Sequence, residues 1–400
     1  MDVLLLNQFY PPDLAPTGRF LGDLADRLAS RGHRVRVICS RQAYAADAAA
    51  ALPVAPGITV ERVGGAGFGR RHLGGRALDS LRFGLGVWRR GGAGPAPDVV
   101  VSLTSPPLLG LLARGVAWRR GASLAHWVMD LYPDALVAAG VIRPRGATQA
   151  LLRALSRAQY RRAALVVALG PRAQERLAPQ LPSGVRCAWV PLWGRVGRAA
   201  PTAAAAERAR RGWGERETVL LYSGNAGRAH CFEDFLAAAR RLGRDGPLWV
   251  FAGGGPRRGE LERFAAAHPE ARLELRPYVP EAELAATLCA ADVHLVSLAP
   301  GWQGVSVPSK LAAAFAVGRP VLFVGPRDSE PAEWLRDSGG GWSVEPGDAA
   351  ALLAALAEAG RPDQRRERGR AAAAWAAHHL DRERGAARLA ALVEACGVRG

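Results

Sequence analysis

Short runs of apolar residues alternate with helical stretches along the whole chain. We expect strands at residues 3–6, 34–39, 58–63, 99–103, 123–128 and 165–169. A second series is expected at residues 218–222, 248–251, 272–275, 293–296 and 321–324. Runs that are apolar at nearly every position are typical of strands covered on both faces of a parallel sheet. The pattern therefore predicts two successive parallel α/β halves.

Apolar residues recur at three- and four-residue spacing between these runs, as Phe20, Leu24 and Leu28 do, which indicates helices packed on the sheets. Residues 194–214 change character, with Gly and Arg followed by an Ala-rich stretch. We interpret this change as a domain boundary. The predicted division is an N-terminal domain at residues 1–195, a C-terminal domain at 196–380 and a final helix at 381–400.

Composition agrees with two domains, because 400 residues with 49% hydrophobic content suffice for two cores. A net charge of +17 fits nucleic acid, an anionic membrane surface, phosphorylated substrates or simply an Arg-rich composition. The five cysteines form no C-x-x-C pair, which favours reduced thiols in a cytoplasmic protein without a zinc site. No apolar run approaches about 18 residues, so none is expected to span a membrane.

Residues 304–310, Gly-Val-Ser-Val-Pro-Ser-Lys, are a candidate anion site. Pro308 and Ser309 favour a helix start, whose free N–H groups suit a phosphate. Lys310 is the only lysine of the chain, and a cation beside the positive helix end is unfavourable unless an anion binds there. The alternative is an ordinary lysine on a surface helix.

A glycine-containing turn follows the first strand of the second half. Gly224 and Gly227 let backbone amides face a phosphate, or they serve a turn that merely needs positive φ. The spacing differs from G-x-G-x-x-G, so a nicotinamide cofactor has little support.

Two positions in the first half follow strand ends, where parallel sheets place their sites. Asp130 is expected to act as a general base or to bind a hydroxyl or cation, and the alternative is a helix cap. Thr17 and Gly18 end a long Pro-rich loop, and here too a helix cap is the alternative.

Residues 66–92 predict a basic amphipathic helix, typical of a protein that binds an anionic membrane surface. Its apolar positions are Leu78, Leu81, Leu85 and Trp88. The arginines around them are Arg70, Arg71, Arg76, Arg82, Arg89 and Arg90. An ordinary helix packed on the sheet is the alternative.

Taken in order, these motifs resemble the retaining glycosyltransferases of family 4, in the branch for bacterial surface polysaccharide and exopolysaccharide biosynthesis. The matching segments are residues 7–12, 17–18, 127–133, 222–227, 278–280, 307–311, 318–321 and 329–330. The resemblance implies an α/β GT-B fold, in which two Rossmann-like domains with parallel sheets face a cleft. The N-terminal domain would bind the acceptor, the C-terminal domain would bind the nucleotide sugar, and the final helix would cross back to the N-terminal domain.

The implied activity is transfer of a hexose or N-acetylhexosamine from a UDP-linked donor to a lipid-linked or glycan acceptor. It needs no metal or other cofactor, and it places the protein in the cytoplasm at the inner face of the plasma membrane. Asp130 and Lys310 are the implied catalytic residues. The implied donor-binding residues are Gly18, Gly224, Asn225, Gly227, His230, Val279, Ser309, Lys310 and Glu330.

The chain also departs from the family. Val305 and Ala313 stand where the family has two glutamates, and we expect Lys310 and Glu330 to compensate. Asp130 replaces a catalytic-site histidine. These changes leave two alternatives, a nucleotide-sugar epimerase on the same fold and a non-catalytic sugar-nucleotide-binding protein. Nucleic-acid binding would rest on charge alone.

Overall fold

The computed structural model describes residues 1–13, 15–41, 55–64 and 73–397, with the backbone alone at 73–77, and it forms two compact units. The N-terminal unit comprises Met1–Pro191 and Glu383–Gly400, and the C-terminal unit comprises Leu192–Arg382. No helix in the described part of the chain combines the length and the apolar character needed to cross a bilayer.

Each unit contains one sheet, and all the strand pairs are parallel. The N-terminal strands are β1 (Asp2–Leu6), β2 (Arg34–Ser40), β3 (Ile58–Val63), β4 (Val99–Ser102), β5 (Ser123–Trp127), β6 (Leu165–Ala168) and β7 (Arg186–Trp189). Their order is β3-β2-β1-β4-β5-β6-β7. The C-terminal strands are β8 (Val219–Ser223), β9 (Leu248–Ala252), β10 (Leu273–Arg276), β11 (Val293–Ser297), β12 (Val321–Val324) and β13 (Gly341–Val344). Their order is β10-β9-β8-β11-β12-β13. Two parallel α/β domains, as predicted, are confirmed.

Helices connect the strands in both units. In the N-terminal unit they are α1 (Pro16–Ser30), α2 (Leu73–Gly91), α3 (Leu109–Arg120), α4 (Asp134–Ala138), α5 (Ala147–Tyr160) and α6 (Pro171–Leu177). In the C-terminal unit they are α7 (Pro201–Arg210), α8 (Glu233–Leu242), α9 (Arg258–Ala267), α10 (Glu281–Ala290), α11 (Ser309–Ala316), α12 (Glu330–Ser338), α13 (Ala349–Ala359) and α14 (Pro362–His379). The last helix, α15 (Arg382–Gly397), belongs almost entirely to the N-terminal unit.

Helix α15 is held in the N-terminal unit by both apolar and charged contacts. It buries Ala386, Leu389, Ala390 and Val393. Glu394 contacts His33 and Arg31, each at 2.8 Å. The last helix, α15, is therefore part of the same unit as β1–β7.

Three elements differ from the sequence-based prediction. Strands β7 and β13 were not expected, because β7 is only half-buried and β13 contains Gly341 and Ser343. Helix α7 lies inside the stretch interpreted as a boundary. It begins with Pro201 at its first turn and buries Ala204 and Glu207. The stretch therefore belongs to the C-terminal unit, which begins at Leu192, close to the interpreted boundary.

Candidate functional site

The loop after β8 contacts the loop after β9 so closely that only glycine fits. A Cβ on Gly253 would lie 2.1 Å from the carbonyl oxygen of Gly224, and Gly253 and Gly224 have φ of 138° and 125°. A Cβ on Gly255 would lie 2.3 Å from Oδ1 of Asn225. These glycines are therefore needed for packing and for backbone conformation. Together they hold Asn225 in place at the carboxyl edge of the sheet.

Lys310 reaches this loop from the first turn of α11, which begins at Ser309 after the extended residue Pro308. Its Nζ lies 3.0 Å from Nε2 of His230 and 3.3 Å from the carbonyl oxygen of Asn225. Nζ also lies 4.7 Å from the centre of the Tyr222 ring. The side chain packs so near Gly224 that a Cβ there would be 3.2 Å from Cε of Lys310. The structure thus brings five predicted residues together: Gly224, Asn225, Gly227, His230 and Lys310.

The tautomer of His230 follows from its two hydrogen bonds. Nδ1 lies 2.7 Å from the carbonyl oxygen of Ser297, which can only accept, so Nδ1 carries the proton. Nε2 is then the acceptor for the Lys310 ammonium. Burial, with a further contribution from Lys310, holds the pKa of His230 well below its usual range. The imidazole is therefore neutral and serves as a hydrogen-bond acceptor for the lysine.

Lys310 is a cation in a setting that disfavours its charge. Burial lowers the pKa of Lys310 to about 7. In residues 1–13, 15–41, 55–64 and 73–397, no carboxylate forms an ion pair with it. The positive end of α11 adds to the unfavourable potential. A bound anion would satisfy both groups, so the arrangement suits a phosphate or diphosphate.

An exposed aromatic ring stands beside this cluster. Tyr278 is 39% exposed, and its hydroxyl lies 3.4 Å from Oδ1 of Asn225. The next residue, Val279, packs instead into the apolar cluster that contains Val219 and Leu221. An exposed ring beside this glycine-containing loop offers a flat surface to an aromatic ligand group.

Two other predicted donor residues begin helices. Ser309 is the first residue of α11 and Glu330 is the first residue of α12, where a carboxylate is favoured by the helix dipole. Glu330 is fully buried. Lys310 bonds to His230 and Asn225. The expectation that Lys310 and Glu330 compensate for the two missing glutamates stays a prediction.

In the N-terminal unit, Gly18 lies in the first turn of α1. A Cβ there would be 2.8 Å from the Phe9 carbonyl carbon and 2.9 Å from the Tyr10 nitrogen. Its amide donates to the carbonyl of Ala15 at 3.0 Å. Close packing of α1 on the preceding loop therefore requires this glycine. The N-cap residue of α1 is Ala15, and no side chain forms a capping hydrogen bond there. Thr17 lies inside the helix, so the capping alternative for Thr17 is wrong.

Asp130 follows β5 at the carboxyl edge of the N-terminal sheet. Its amide donates to Oγ1 of Thr104 at 3.2 Å, and the residue is half-buried. Helix α4 is preceded by Pro133 at its N-cap position, so Asp130 does not cap that helix. The capping alternative is wrong, and the carboxylate stays a candidate for chemistry.

The neighbouring histidine on β5 has a structural role. Oγ of Ser102 donates to Nδ1 of His126 at 2.7 Å, and Nε2 donates to the Gln159 carbonyl at 3.0 Å. Burial lowers the pKa of His126 to about 4. Its two nitrogens are thus occupied inside the core.

A second candidate surface lies on α2 and α3. Most of the exposed large apolar side chains in the described residues belong to these two helices: Leu78, Leu81, Leu85, Trp88 and Trp118. A Cβ on Gly115 would lie 2.7 Å from the Trp88 ring, and Trp118 is three residues further along the same helix face. The Arg119 guanidinium lies 5.7 Å from the centre of the Trp88 ring.

This apolar patch is separate from the core face of α2, where Phe83 and Val87 are buried. Helix α2 is packed on β2 and β3, as the alternative expected, but through Phe83 and Val87 rather than through the exposed stripe. Binding of the stripe to a membrane stays a prediction. Arg70 and Arg71 lie outside the described residues, as does the side chain of Arg76.

Sequence reasoning gave no site role to Tyr222, Tyr278 or Ser297. Tyr222 and Tyr278 belong to two of the matching segments, residues 222–227 and 278–280. An aromatic residue next to a turn that contains glycine or proline could therefore have indicated a site residue. Ser297 acts through its backbone carbonyl, which no residue pattern identifies. Among the described residues, no group of three or more His, Cys, Asp or Glu side chains is placed to hold a metal ion.

Two parallel-sheet units, one with Lys310 and glycine-containing loops at its carboxyl edge, have the architecture of two-domain α/β enzymes, which bind ligands at the carboxyl ends of their strands. Residues 17–193 match the model of the glycosyl transferase 4-like domain, and residues 217–360 match that of the glycosyl transferases group 1. The chain belongs to the glycosyltransferases of the GT-B type.

Similar proteins agree with this assignment. The chain is 28% identical over 264 residues to a probable glycosyltransferase, WbjE, of Pseudomonas aeruginosa, covering 65% of this chain and 66% of WbjE. It is 26% identical over 388 residues to a putative colanic acid biosynthesis glycosyl transferase, WcaI, of Escherichia coli, covering 90% and 92% of the two chains. The crystal structure of HepE from Anabaena in complex with UDP-glucose has a similar fold, with a TM-score of 0.71, 14% identity and 99% coverage of both chains.

Proposed function

We propose that this glycosyltransferase moves a hexose or N-acetylhexosamine from a UDP-linked donor to a lipid-linked or glycan acceptor during cell-surface polysaccharide assembly, with retention of anomeric configuration. The observation that carries the proposal is Lys310, a half-buried cation without a carboxylate partner among the described residues, held beside glycine-containing loops. The name of WcaI, which refers to colanic acid biosynthesis, and the UDP-glucose bound to HepE support the acceptor and donor classes.

In the proposed reaction, the acceptor oxygen forms a bond to the anomeric carbon while the bond from that carbon to the diphosphate breaks. The electron pair leaves with the nucleoside diphosphate, which also takes the hydroxyl proton. Lys310 and the amino end of α11 stabilise the developing negative charge. Asp130 accepts a hydrogen bond from the acceptor hydroxyl and orients it. With the lysine and the helix end supplying the positive charge, we propose that transfer does not depend on a metal.

We further propose that the protein binds the membrane peripherally through the patch on α2 and α3. A lipid-linked acceptor keeps its chain in the bilayer, so the enzyme must reach the membrane surface. Exposed Leu and Trp side chains with neighbouring arginines fit an interfacial site, where apolar groups enter the headgroup region and cations meet anionic lipids.

A nucleotide-sugar screen tests the proposed donor and reaction. A ligand at about 100 times its Kd should stabilise the folded protein by about 2.7 kcal/mol, which thermal denaturation detects. The stabilising donor is then incubated with lipid-linked and glycan acceptors, and the product anomer is read by NMR. Conversion of the donor to its epimer without acceptor would indicate the epimerase alternative. Donor binding without any turnover would indicate a binding protein.

A further inference from the structure

A cavity of about 450 Å³ lies at the amino edge of the C-terminal sheet. Asp292 directly precedes β11 and Arg319 lies just before β12, so the cavity is at the edge opposite to the one that carries the glycine-containing loop after β8. Five arginines line it together with a single carboxylate, that of Asp292. They are Arg198, Arg319, Arg365, Arg366 and Arg370.

The carboxylate of Asp292 already has partners within the protein. Asp292 lies 3.0 Å from Arg208 and 3.7 Å from Arg365, and it also accepts from the Val219 amide at 2.9 Å. Over the described ranges of the chain, Arg198, Arg366 and Arg370 form no ion pair. The cavity therefore has a clear excess of positive charge.

The protein offsets part of this charge, because Arg319 donates to the carbonyl of Cys289 and Arg365 donates to the carbonyls of Ala359 and Gly360. Two further observations concern the charge that is left. Burial lowers the pKa of Arg319, and Arg198 and Arg208 lower it further by repulsion, while Asp292 acts in the opposite direction. Helix α14 begins at the cavity wall with Pro362, and its preceding residue offers no side-chain cap. The positive end of this 18-residue helix adds to the field of the arginines, and Asp363 in its first turn, which lies 3.1 Å from Arg361, offsets part of that field.

We propose that this cavity binds a phosphorylated small molecule, at a site distinct from the candidate donor site. One guanidinium group can donate two parallel hydrogen bonds to the oxygens of a phosphate. Several guanidinium groups around one cavity therefore suit a doubly charged phosphate or a diphosphate. The volume falls in the range of about 300–1,000 Å³ that is usual for organic ligands. The apolar side chains of Pro362 and Ala373 offer a surface for the organic part.

Inorganic pyrophosphate is a suitable probe, and titration calorimetry at low salt measures its binding. The Lys310→Ala protein is used as the background, because pyrophosphate also suits the candidate donor site. In that background the triple variant Arg198→Ser, Arg366→Ser, Arg370→Ser should lose about 10²-fold or more in affinity, since each removed partner makes charge-assisted bonds. All three side chains are exposed, and circular dichroism melting verifies that the variant is folded.

The matched control is Arg240→Ser, Arg241→Ser, Arg244→Ser, which makes the same change in charge on the exposed surface of the same unit. It should change the affinity less than about 3-fold, as expected for distant charges screened by salt. Equal losses in the two variants, or no binding of millimolar pyrophosphate before substitution, would overturn the proposal.

A second set of titrations separates the sources of phosphate. A hexose phosphate and a nucleoside diphosphate should bind the Lys310→Ala protein and fail to bind its cavity variant. Vesicles containing phosphatidic acid present the same group on a lipid. If the cavity variant loses vesicle binding while the soluble phosphates never bind, the ligand is a lipid headgroup and the small-molecule proposal is wrong.

Discussion

Lys310 combines a chemical rarity with an electrostatic conflict. It is the only lysine of the chain, and its ammonium is shared between a neutral imidazole and a carbonyl. Lys310 packs against Gly224 and the ring of Tyr222, and an ammonium is a more compact charge than a planar guanidinium. The close packing around Lys310 therefore favours lysine over arginine at this position.

Replacement of Lys310 should impair transfer. Lys310→Ala removes the charge next to the departing diphosphate and should lower kcat/KM about 10²-fold or more. Lys310→Arg keeps the positive charge on a larger, planar group, so this variant should recover only part of the lost kcat/KM. Steady-state kinetics with the preferred donor measures both. Unchanged kinetics in Lys310→Ala would contradict the role assigned to this residue.

Donor binding should depend on pH through the same group. The free protein has a Lys310 pKa of about 7, and a bound diphosphate must raise it. Above pH 7 binding therefore requires proton uptake, and the affinity should fall by up to about tenfold per pH unit. Calorimetry of a nucleotide sugar between pH 6 and 9 measures this slope. Lys310→Arg, which stays charged, is the control and should remove it.

Asp130 is tested by separating turnover from donor binding. Asp130→Asn preserves the shape of the side chain but removes its charge, so kcat should fall while the donor Kd stays near its original value. The melting temperature of the variant serves as the control for folding. Weakened donor binding with unchanged kcat would show that the acceptor role is incorrect.

The residues of the C-terminal cluster were predictable, and their chemistry was not. Glycine, proline and an isolated lysine mark turns and a helix start in the sequence. The proton position on His230 depends on the carbonyl of Ser297, which lies 67 residues away along the chain. Such a pairing exists only after β8 and β11 lie side by side.

At the scale of elements, α2 and α3 display apolar side chains that a folded protein ordinarily covers. Leu81 and Trp118 are each 70% exposed. A contiguous exposed apolar surface marks a site of interaction. Basic residues on the same helices, such as Arg89 and Arg119, favour an anionic membrane as the partner.

Vesicle binding tests this surface. The protein should sediment with anionic vesicles at low salt, and high salt should weaken the binding because each basic residue contributes about 1 kcal/mol through a screened interaction. The variant Leu81→Ser, Leu85→Ser, Trp88→Ser should bind several-fold less while still transferring sugar to a soluble acceptor analogue.

The variant Val141→Ser, Leu151→Ser removes exposed apolar side chains elsewhere in the same unit and is the matched control. Its vesicle binding should be unchanged. If the unsubstituted protein does not bind anionic vesicles at low salt, the patch on α2 and α3 serves another partner.

Long apolar runs predicted the central strands well, because strands buried on both faces leave little choice of residue. The edge elements β7 and β13 gave no such signal. Strand β7 begins with Arg186 and is half-buried, and β13 begins with Gly341, whose Cβ would collide with the carbonyl of Val321 at 1.9 Å. Their strand conformation comes from pairing with β6 and β12 rather than from their own sequences.

At the scale of the whole molecule, the chain leaves the N-terminal unit and returns to it with α15. The fully buried Leu389 packs this helix into that unit. Leu389→Ala should destabilise the N-terminal unit by about 2–5 kcal/mol through lost burial and a cavity. Hydrogen exchange should speed up in β1 and β2 and stay unchanged in the C-terminal strands. Uniform acceleration in both sheets would contradict this separation.

The return of α15 also sets an order of events during protein synthesis. The ribosome releases every residue of the C-terminal unit before the last helix of the N-terminal unit emerges. A nascent chain can thus complete its second unit first, while Arg31 and His33, which contact Glu394 of α15, are still uncovered. Until translation ends, chaperones can bind this uncovered surface. In a chain that is truncated after Arg382, the surface stays exposed permanently.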